Sequence, residues 1–173
     1  RDHRFDRNIL PRMASLGLAI GASYAGAKAM TGTSGPGLDL MQELIGYASM
    51  AEVPVVIVDV QRAGPSTGLP TKYEQADLFS AIYGAHGDVP KIVLAPGDVH
   101  DCVHLTVEAF NLAERYQLPV ILLSDASLAL REQTPPALVE QVVRPDVVAG
   151  DVEIGAGARL HCLLEHVRGH APR

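Results

Sequence analysis

The chain has 173 residues, 47% apolar and 20% charged, with a net charge of −6. That is the balance of one folded domain carrying a tail, and it excludes wholesale disorder. The acidic surplus speaks against nucleic-acid binding, no run of about 18 uncharged apolar residues predicts a membrane span, and two cysteines, Cys102 and Cys162, are too few for a disulfide framework or a metal cage. The mixed-charge start, Arg1 to Ser15, does not read as a secretory leader, so a cytoplasmic protein is expected.

Residues 1–12 show no strand, and Pro11 reads as an interruption before the first helix. Residues 14–27 are small and apolar, a helix able to lie close to its neighbours. Thr31 to Gly37 follows a short strand near 28–32 and opens a second helix over 37–51, with Pro36 suited to the first turn. This glycine-rich loop is either a turn with a cap or a ligand loop. It lacks the Gly-Lys-Ser/Thr ending of a phosphate loop.

Residues 54–60, 91–95 and 119–124 are short β-branched runs without alternation, the pattern of strands buried on both faces. Helical segments lie between them, at about 73–84 and at 98–116, the latter with Asp98 as N-cap and with Cys102 on its apolar stripe as a core residue. Strand and helix in regular alternation predict an α/β three-layer sandwich around a mostly parallel sheet. Ligands of such sheets gather at the carboxyl ends of strands. The candidates there are Thr31–Gly37, Asp59–Thr71, Ala95–Asp98 and Ser124–Leu128.

The most informative of these loops follows the second strand. Asp59 to Thr71 holds two glycines, two prolines and several hydroxyls, with Arg62 at its root. A planar guanidinium suits a carboxylate ligand. The alternative is a structural clamp between Arg62 and Asp59 or Asp77. His86, between Ala85 and Gly87, is either a proton carrier or a turn and interface residue. After Pro135-Pro136 the text changes, and 135–173 reads as a tail or docking segment behind a domain at 1–134. Its histidines, His161, His166 and His170, have no metal-ligand spacing and read as solvated.

Ala19 to Ala27, Thr33 to Gly37, Val58 to Thr71, Glu74 to Leu78 and His86 to Asp88 occur in an order and spacing that resembles the alpha subunit of 2-oxoacid:ferredoxin oxidoreductases. The stretch Gln61-Arg62-Ala63-Gly64-Pro65-Ser66-Thr67-Gly68-Leu69-Pro70-Thr71 is most similar to the 2-oxoglutarate type. The resemblance implies a pyrimidine-binding domain of thiamine-diphosphate enzymes. It implies that Arg62 meets the substrate carboxylate, that Ser66 and Thr67 mark the subtype, and that Ser34, Gly35 and Gly37 lie near the cofactor. It also implies thiamine diphosphate shared with a beta subunit, which would carry Mg²⁺, and an iron–sulfur cluster held outside this chain. The implied reaction is oxidative decarboxylation of a 2-oxo acid, with CoA and ferredoxin as acceptors. An assembly follows, a homo-oligomer joined by the beta subunit, with helix 14–27 and loops 62–71 and 84–88 facing neighbours. One departure stands out. The family carries a glutamate just before the small-residue helix, and its place here is about Leu10, within Ile9-Leu10-Pro11-Arg12, where no carboxylate occurs. The strand that precedes it in the family is missing too. No catalytic residue is therefore assigned, and a truncated or inactive domain acting as a scaffold is the alternative to an active subunit.

Overall fold

In a computed structural model, residues 6–66 and 68–132 are described. The elements run α1 (Asp6–Tyr24), β1 (Met30–Thr33), α2 (Gly35–Met50), β2 (Val55–Gln61), α3 (Leu78–Tyr83), β3 (Ile92–Leu94), α4 (Val99–Tyr116), β4 (Pro119–Asp125) and α5 (Ala126–Ala129). The four strands form one sheet in the order β1-β2-β4-β3, and every pairing is parallel.

The lack of alternation in the strands has a direct cause. Successive side chains point to opposite faces, and both faces are covered. Val55, Ile57, Val93, Ile121 and Leu123 pack under α1, α2 and α3, against Leu16, Ile20, Leu38, Met41, Ile45 and Ala81. Val56, Ile92, Leu94, Val120 and Leu122 pack on the other face against Leu105, Ala109 and Ala113 of α4. Three layers result, as the alternating text predicts. The central pair, β2 and β4, is the longest at seven residues each and runs in register from Val55↔Pro119 to Gln61↔Asp125.

Helix α2 buries Leu38, Met41, Ile45 and Ala48, a three-and-four spacing that makes one apolar stripe. Helix α4 is fixed at its start by Asp98, whose Oδ1 accepts the Asp101 N–H at 2.8 Å. Between α1 and the sheet, Ser23 Oγ donates to the Pro54 carbonyl at 2.7 Å, and below α2 Ser49 Oγ donates to the Pro90 carbonyl at 2.8 Å.

Three expectations need correction. The first helix does not begin after Pro11 but at Asp6, with Pro11 inside it, and it ends at Tyr24 rather than 27. Pro11 lies in the second turn, early enough that little of the ladder is lost, and Gly26 at φ 85° turns the chain out. The helix expected over 73–84 covers only Leu78–Tyr83, because residues 72–77 are drawn back onto the preceding loop. Cys102 is half-buried rather than core: the buried stripe of α4 is Leu105, Ala109 and Ala113, and Cys102 stands one turn before it, near Ser124. The proposed boundary at 134, the segment 135–173 and its histidines lie outside the described residues.

Ile121 is fully buried on the central strand β4. Ile121→Ala is expected to lower the unfolding free energy by about 2–5 kcal/mol, the range for deleting a packed aliphatic side chain, in a urea titration followed by circular dichroism.

Candidate functional site

The carboxyl ends of β1 and β2 open into a cleft of about 270 Å³, lined among others by Gly35, Asp39, Arg62, Ser66, Glu74 and Asp77. Each wall has a local reason. β1 ends at Thr33, and Ser34 begins α2 with an extended backbone suited to an N-cap, yet its side chain makes no cap bond. Instead, Arg62 Nε donates to Ser34 Oγ at 3.2 Å, while the Ser34 carbonyl accepts the Gly37 and Leu38 N–H groups. The guanidinium is thereby held across the start of α2.

The loop after β2 is pinned at both ends. The Ala63 N–H donates to the Lys72 carbonyl at 2.9 Å, and the Leu69 N–H donates to the Ala63 carbonyl at 3.2 Å. Gly64 N–H donates to Glu74 Oε2 at 3.0 Å. Gln61, buried at the end of β2, donates from Nε2 to the Ser124 carbonyl at 3.1 Å and accepts the Asp77 N–H on Oε1 at 3.1 Å. Gln75 Nε2 completes the tie by donating to Asp125 Oδ2 at 2.6 Å, while Asp125 Oδ1 caps α5 through the Leu128 N–H. These bonds, and the donors around it, hold the Asp125 carboxyl below its ordinary value despite partial burial. Ser66 stands at the lip of the cleft with φ 56°, a left-handed conformation unusual for a residue with a side chain.

A buried acid, Asp59, lies beneath the cleft, and a half-buried one, Asp77, lines it. Asp59 is 0% exposed, and burial, followed by the neighbouring Asp77 and Asp39, pushes its carboxyl up to about 7. Asp77 is also raised, by burial first and then by Asp39 and Glu74, against the lowering effects of its contact with Asp59 and of the Arg62 charge.

Of the residues singled out in the sequence, Ser34, Gly35, Arg62 and Ser66 come together here, and Gly37 lies one turn into α2. Thr67 falls outside the described residues. The two glycines are explained by internal packing. A Cβ at Gly35 would stand 2.8 Å from Asp77 Oδ1, and one at Gly37 would collide with Thr33 Oγ1. On the clamp alternative for Arg62, its charge acts on Asp77, and its Nε donates to Ser34 Oγ. His86 is exposed in the turn after α3 and is not among the residues lining the cleft. Sequence reasoning missed Asp59 and Asp77 as a pair. The available signal was an acid inside the uniformly apolar run Val55 to Val60. It also missed a group at the start of α4, where Asp98, His100 and Asp101 bring ligand atoms within 4.8 Å of one another. Two of these carboxylates already accept backbone N–H groups, Asp101 from Gly97 and Asp98 from Asp101.

A parallel sheet covered on both faces, with a polar cleft at its strand ends and an arginine at the root of a pinned loop, defines an α/β cofactor-binding domain. The chain belongs to the pyruvate flavodoxin/ferredoxin oxidoreductase, thiamine diphosphate-binding family, whose model matches residues 13–154. It is 60% identical over 113 residues to the 2-oxoglutarate synthase subunit KorA of Archaeoglobus fulgidus, covering 65% of this chain and 33% of that one. It is 53% identical over 130 residues to the subunit KorA of Methanothermobacter marburgensis, covering 74% and 35%. A solved structure, 2-oxoglutarate:ferredoxin oxidoreductase from Magnetococcus marinus with 2-oxoglutarate, coenzyme A and succinyl-CoA bound, matches with a TM-score of 0.67 and 64% identity over 68% of this chain and 21% of that one. The chain spans about a third of the length of these two KorA relatives. No helix among the described residues is long and apolar enough to cross a membrane.

Gln61→Leu keeps the volume and removes the bridge, stranding the Ser124 carbonyl and the Asp77 N–H. The expected cost is about 1–3 kcal/mol for each group left unpaired. Amide exchange at Asp77 should accelerate with it while exchange at Ile57 keeps its rank among the slowest, a pattern that hydrogen-exchange mass spectrometry resolves.

Proposed function

We propose that this chain is the pyrimidine-binding part of the alpha subunit of a 2-oxoacid:ferredoxin oxidoreductase, with 2-oxoglutarate as the substrate. The observation that carries the reading is the placement of Arg62: a cation at the carboxyl end of a central strand, oriented by Ser34 and facing the cleft. A guanidinium presents a planar fork whose geometry matches a carboxylate.

The charges of the cleft support a division of the cofactor between chains. Asp39, Glu74 and Asp77 surround a single lining arginine, Arg62, so the cleft repels a diphosphate and suits an uncharged ring with hydrogen-bonding edges. Ser34 and the backbone at the start of α2 offer such partners. Thiamine diphosphate, when bound, supplies the electron sink for decarboxylation. Its diphosphate and Mg²⁺ belong on the beta subunit, and the iron–sulfur cluster that passes electrons to ferredoxin lies outside this chain. Arg62 orients the substrate carboxylate, the pinned loop carrying Ser66 shapes the far wall, and Ser66 with Thr67 marks the subtype. CoA accepts the acyl group in the assembled enzyme. The dependence on CoA and ferredoxin puts the reading in the cytoplasm. Exposed Leu18, Met50, Phe79 and Tyr83 support burial against further subunits, a homo-oligomer included. The domain runs to about residue 134 in this reading, with 135–173 as a tail or docking segment.

A second reading rests on one observation. Ile9 to Arg12, where the resemblance places a glutamate, has no carboxylate, and Arg12 brings its Cδ to 3.8 Å from the place of a Gly37 Cβ. This favours an inactive domain kept as a scaffold.

The two separate in one assay, 2-oxoglutarate-dependent ferredoxin reduction by the chain assembled with its beta subunit. On the first reading turnover is measurable, and Arg62→Lys raises the apparent KM about tenfold to a hundredfold, the scale of one charged hydrogen bond of about 1.5–3 kcal/mol. The melting temperature stays nearly unchanged. No turnover with intact assembly favours the scaffold. A large fall in melting temperature with unchanged kinetics removes Arg62 from the site.

A further inference from the structure

Asp59 has no part in the binding described above, yet it and the cleft-lining Asp77 are arranged as a unit. Asp59 projects from β2 on the same face as Val55 and Ile57, toward α2, and is fully buried. Neither of its oxygens, nor Oδ2 of Asp77, has a hydrogen-bond donor when both groups are ionised. The two carboxyls are nevertheless within hydrogen-bonding reach of each other. Two acceptors in contact need a proton between them.

The behaviour of Asp77 as a helix cap is a separate observation. Asp98 and Asp125 also precede helices, and each turns its carboxylate onto a free N–H of its own helix. Asp77 precedes α3 and makes no such bond. Its side chain lies between Gly35 and Asp59 instead.

Among the described residues, the charged groups around the pair are few. Asp39 faces the pair from α2 and is held by Ser80 Oγ at 3.0 Å. Glu74 and Arg62 face Asp77 from the loop after β2, and α1 brings Arg12 beside Gly37. The residues beside Asp59 in the sheet, Thr33 and Leu123, are uncharged.

We propose that Asp59 is a positioning residue: it holds one proton in common with Asp77, which limits the charge of the pair beneath Arg62 to a single negative unit and leaves the guanidinium able to take an anionic ligand. With the proton in place, the pair adds one negative charge to those of Asp39 and Glu74 around Arg62. When it is lost, the pair carries a second negative charge, and Asp77, on which the Arg62 charge acts, competes more strongly with the ligand carboxylate. The inference rests on the reading of Arg62 as the carboxylate partner. The direction with pH follows from the raised Asp59 carboxyl. The native protein keeps a proton that the unfolded chain has released, so the associated stability is full in acid and falls as pH rises toward about 7, then levels off.

The test uses the assembled enzyme and two readouts. Infrared spectra of the wild type from about pH 5 to about pH 9 bracket the step expected of a coupled pair. A protonated-carboxyl band should be present at the acid end and vanish in one step near neutral pH; it should be missing from Asp59→Asn, whose amide donates a hydrogen bond without titrating. Over the same range the apparent KM for 2-oxoglutarate should rise about tenfold in the wild type, the scale of one added buried charge, with little change in kcat, and stay flat in Asp59→Asn. Asp77→Asn serves in the same way if Asp59→Asn does not assemble. Absence of the band in the wild type overturns the shared proton whatever the variants do. A KM profile identical in wild type and variant overturns the positioning role. If Arg62→Lys also leaves KM unchanged, the reading of Arg62 has failed; if Arg62→Lys raises KM, only the role of Asp59 has.

Discussion

The carboxamide of Gln61 ties the cleft to the sheet. It is the last side chain of β2, buried, and it satisfies two backbone groups at once, the Ser124 carbonyl of β4 and the Asp77 N–H of the returning loop. A buried amide engaged at both its donor and its acceptor end is rigid, because turning it leaves both backbone partners unpaired. The consequences spread outward. Asp77 is fixed under Gly35, Arg62 leaves β2 in one direction only, and the loop comes back to the sheet at residue 77 instead of continuing as helix. The pinned loop is thus an extension of the central strand pair and shares its rigidity.

That strand pair is rigid for ordinary reasons. β2 and β4 are central, parallel and covered on both faces, and their side chains divide cleanly between the two cores. Asp59 and Gln61 continue the face that Val55 and Ile57 begin. The same geometry that buries aliphatic residues lower down therefore buries two polar ones near the strand end. Apolar packing sets the position, and polar groups use it.

This division explains what could be read from the text. The strands were legible because burial on two faces forces continuous β-branched runs, and α4 was legible because its cap and stripe coincide. The start of α1 was not, since Pro11 carries the same local signal whether it lies before a helix or in its early turns. The shortness of α3 was hidden because the bonds that hold the loop after β2 join residues distant in sequence, such as Gly64 to Glu74 and Gln75 to Asp125. Arg62 and Ser34 were legible as residues of interest, but their mutual hydrogen bond depends on parallel pairing of β1 with β2, which no local pattern contains. Gly35 and Gly37 illustrate the opposite error. A glycine-rich loop at a strand end suggests space for a ligand, whereas here Asp77 and Thr33 fill the space that side chains would take.

Ser34 shows how local helix stability and site geometry trade against one another. A serine before a helix ordinarily turns its hydroxyl to a free N–H in the first turn, a contact worth about 0.5–2 kcal/mol. In α2 that contact is not made, and the hydroxyl accepts from Arg62. The helix tolerates the loss because other terms hold its start: Pro36 has no N–H to satisfy, Gly37 and Leu38 donate to the Ser34 carbonyl, and Leu38 is fully buried. An arginine in an acidic cleft has several carboxylates to fall toward, and each would turn its fork away from the opening. A neutral hydroxyl acceptor on the opposite wall counters that pull without adding charge. Ser34 and Asp77 therefore act on Arg62 from two sides, and the charge carried by Asp77 and its buried neighbour is the variable one of these two influences.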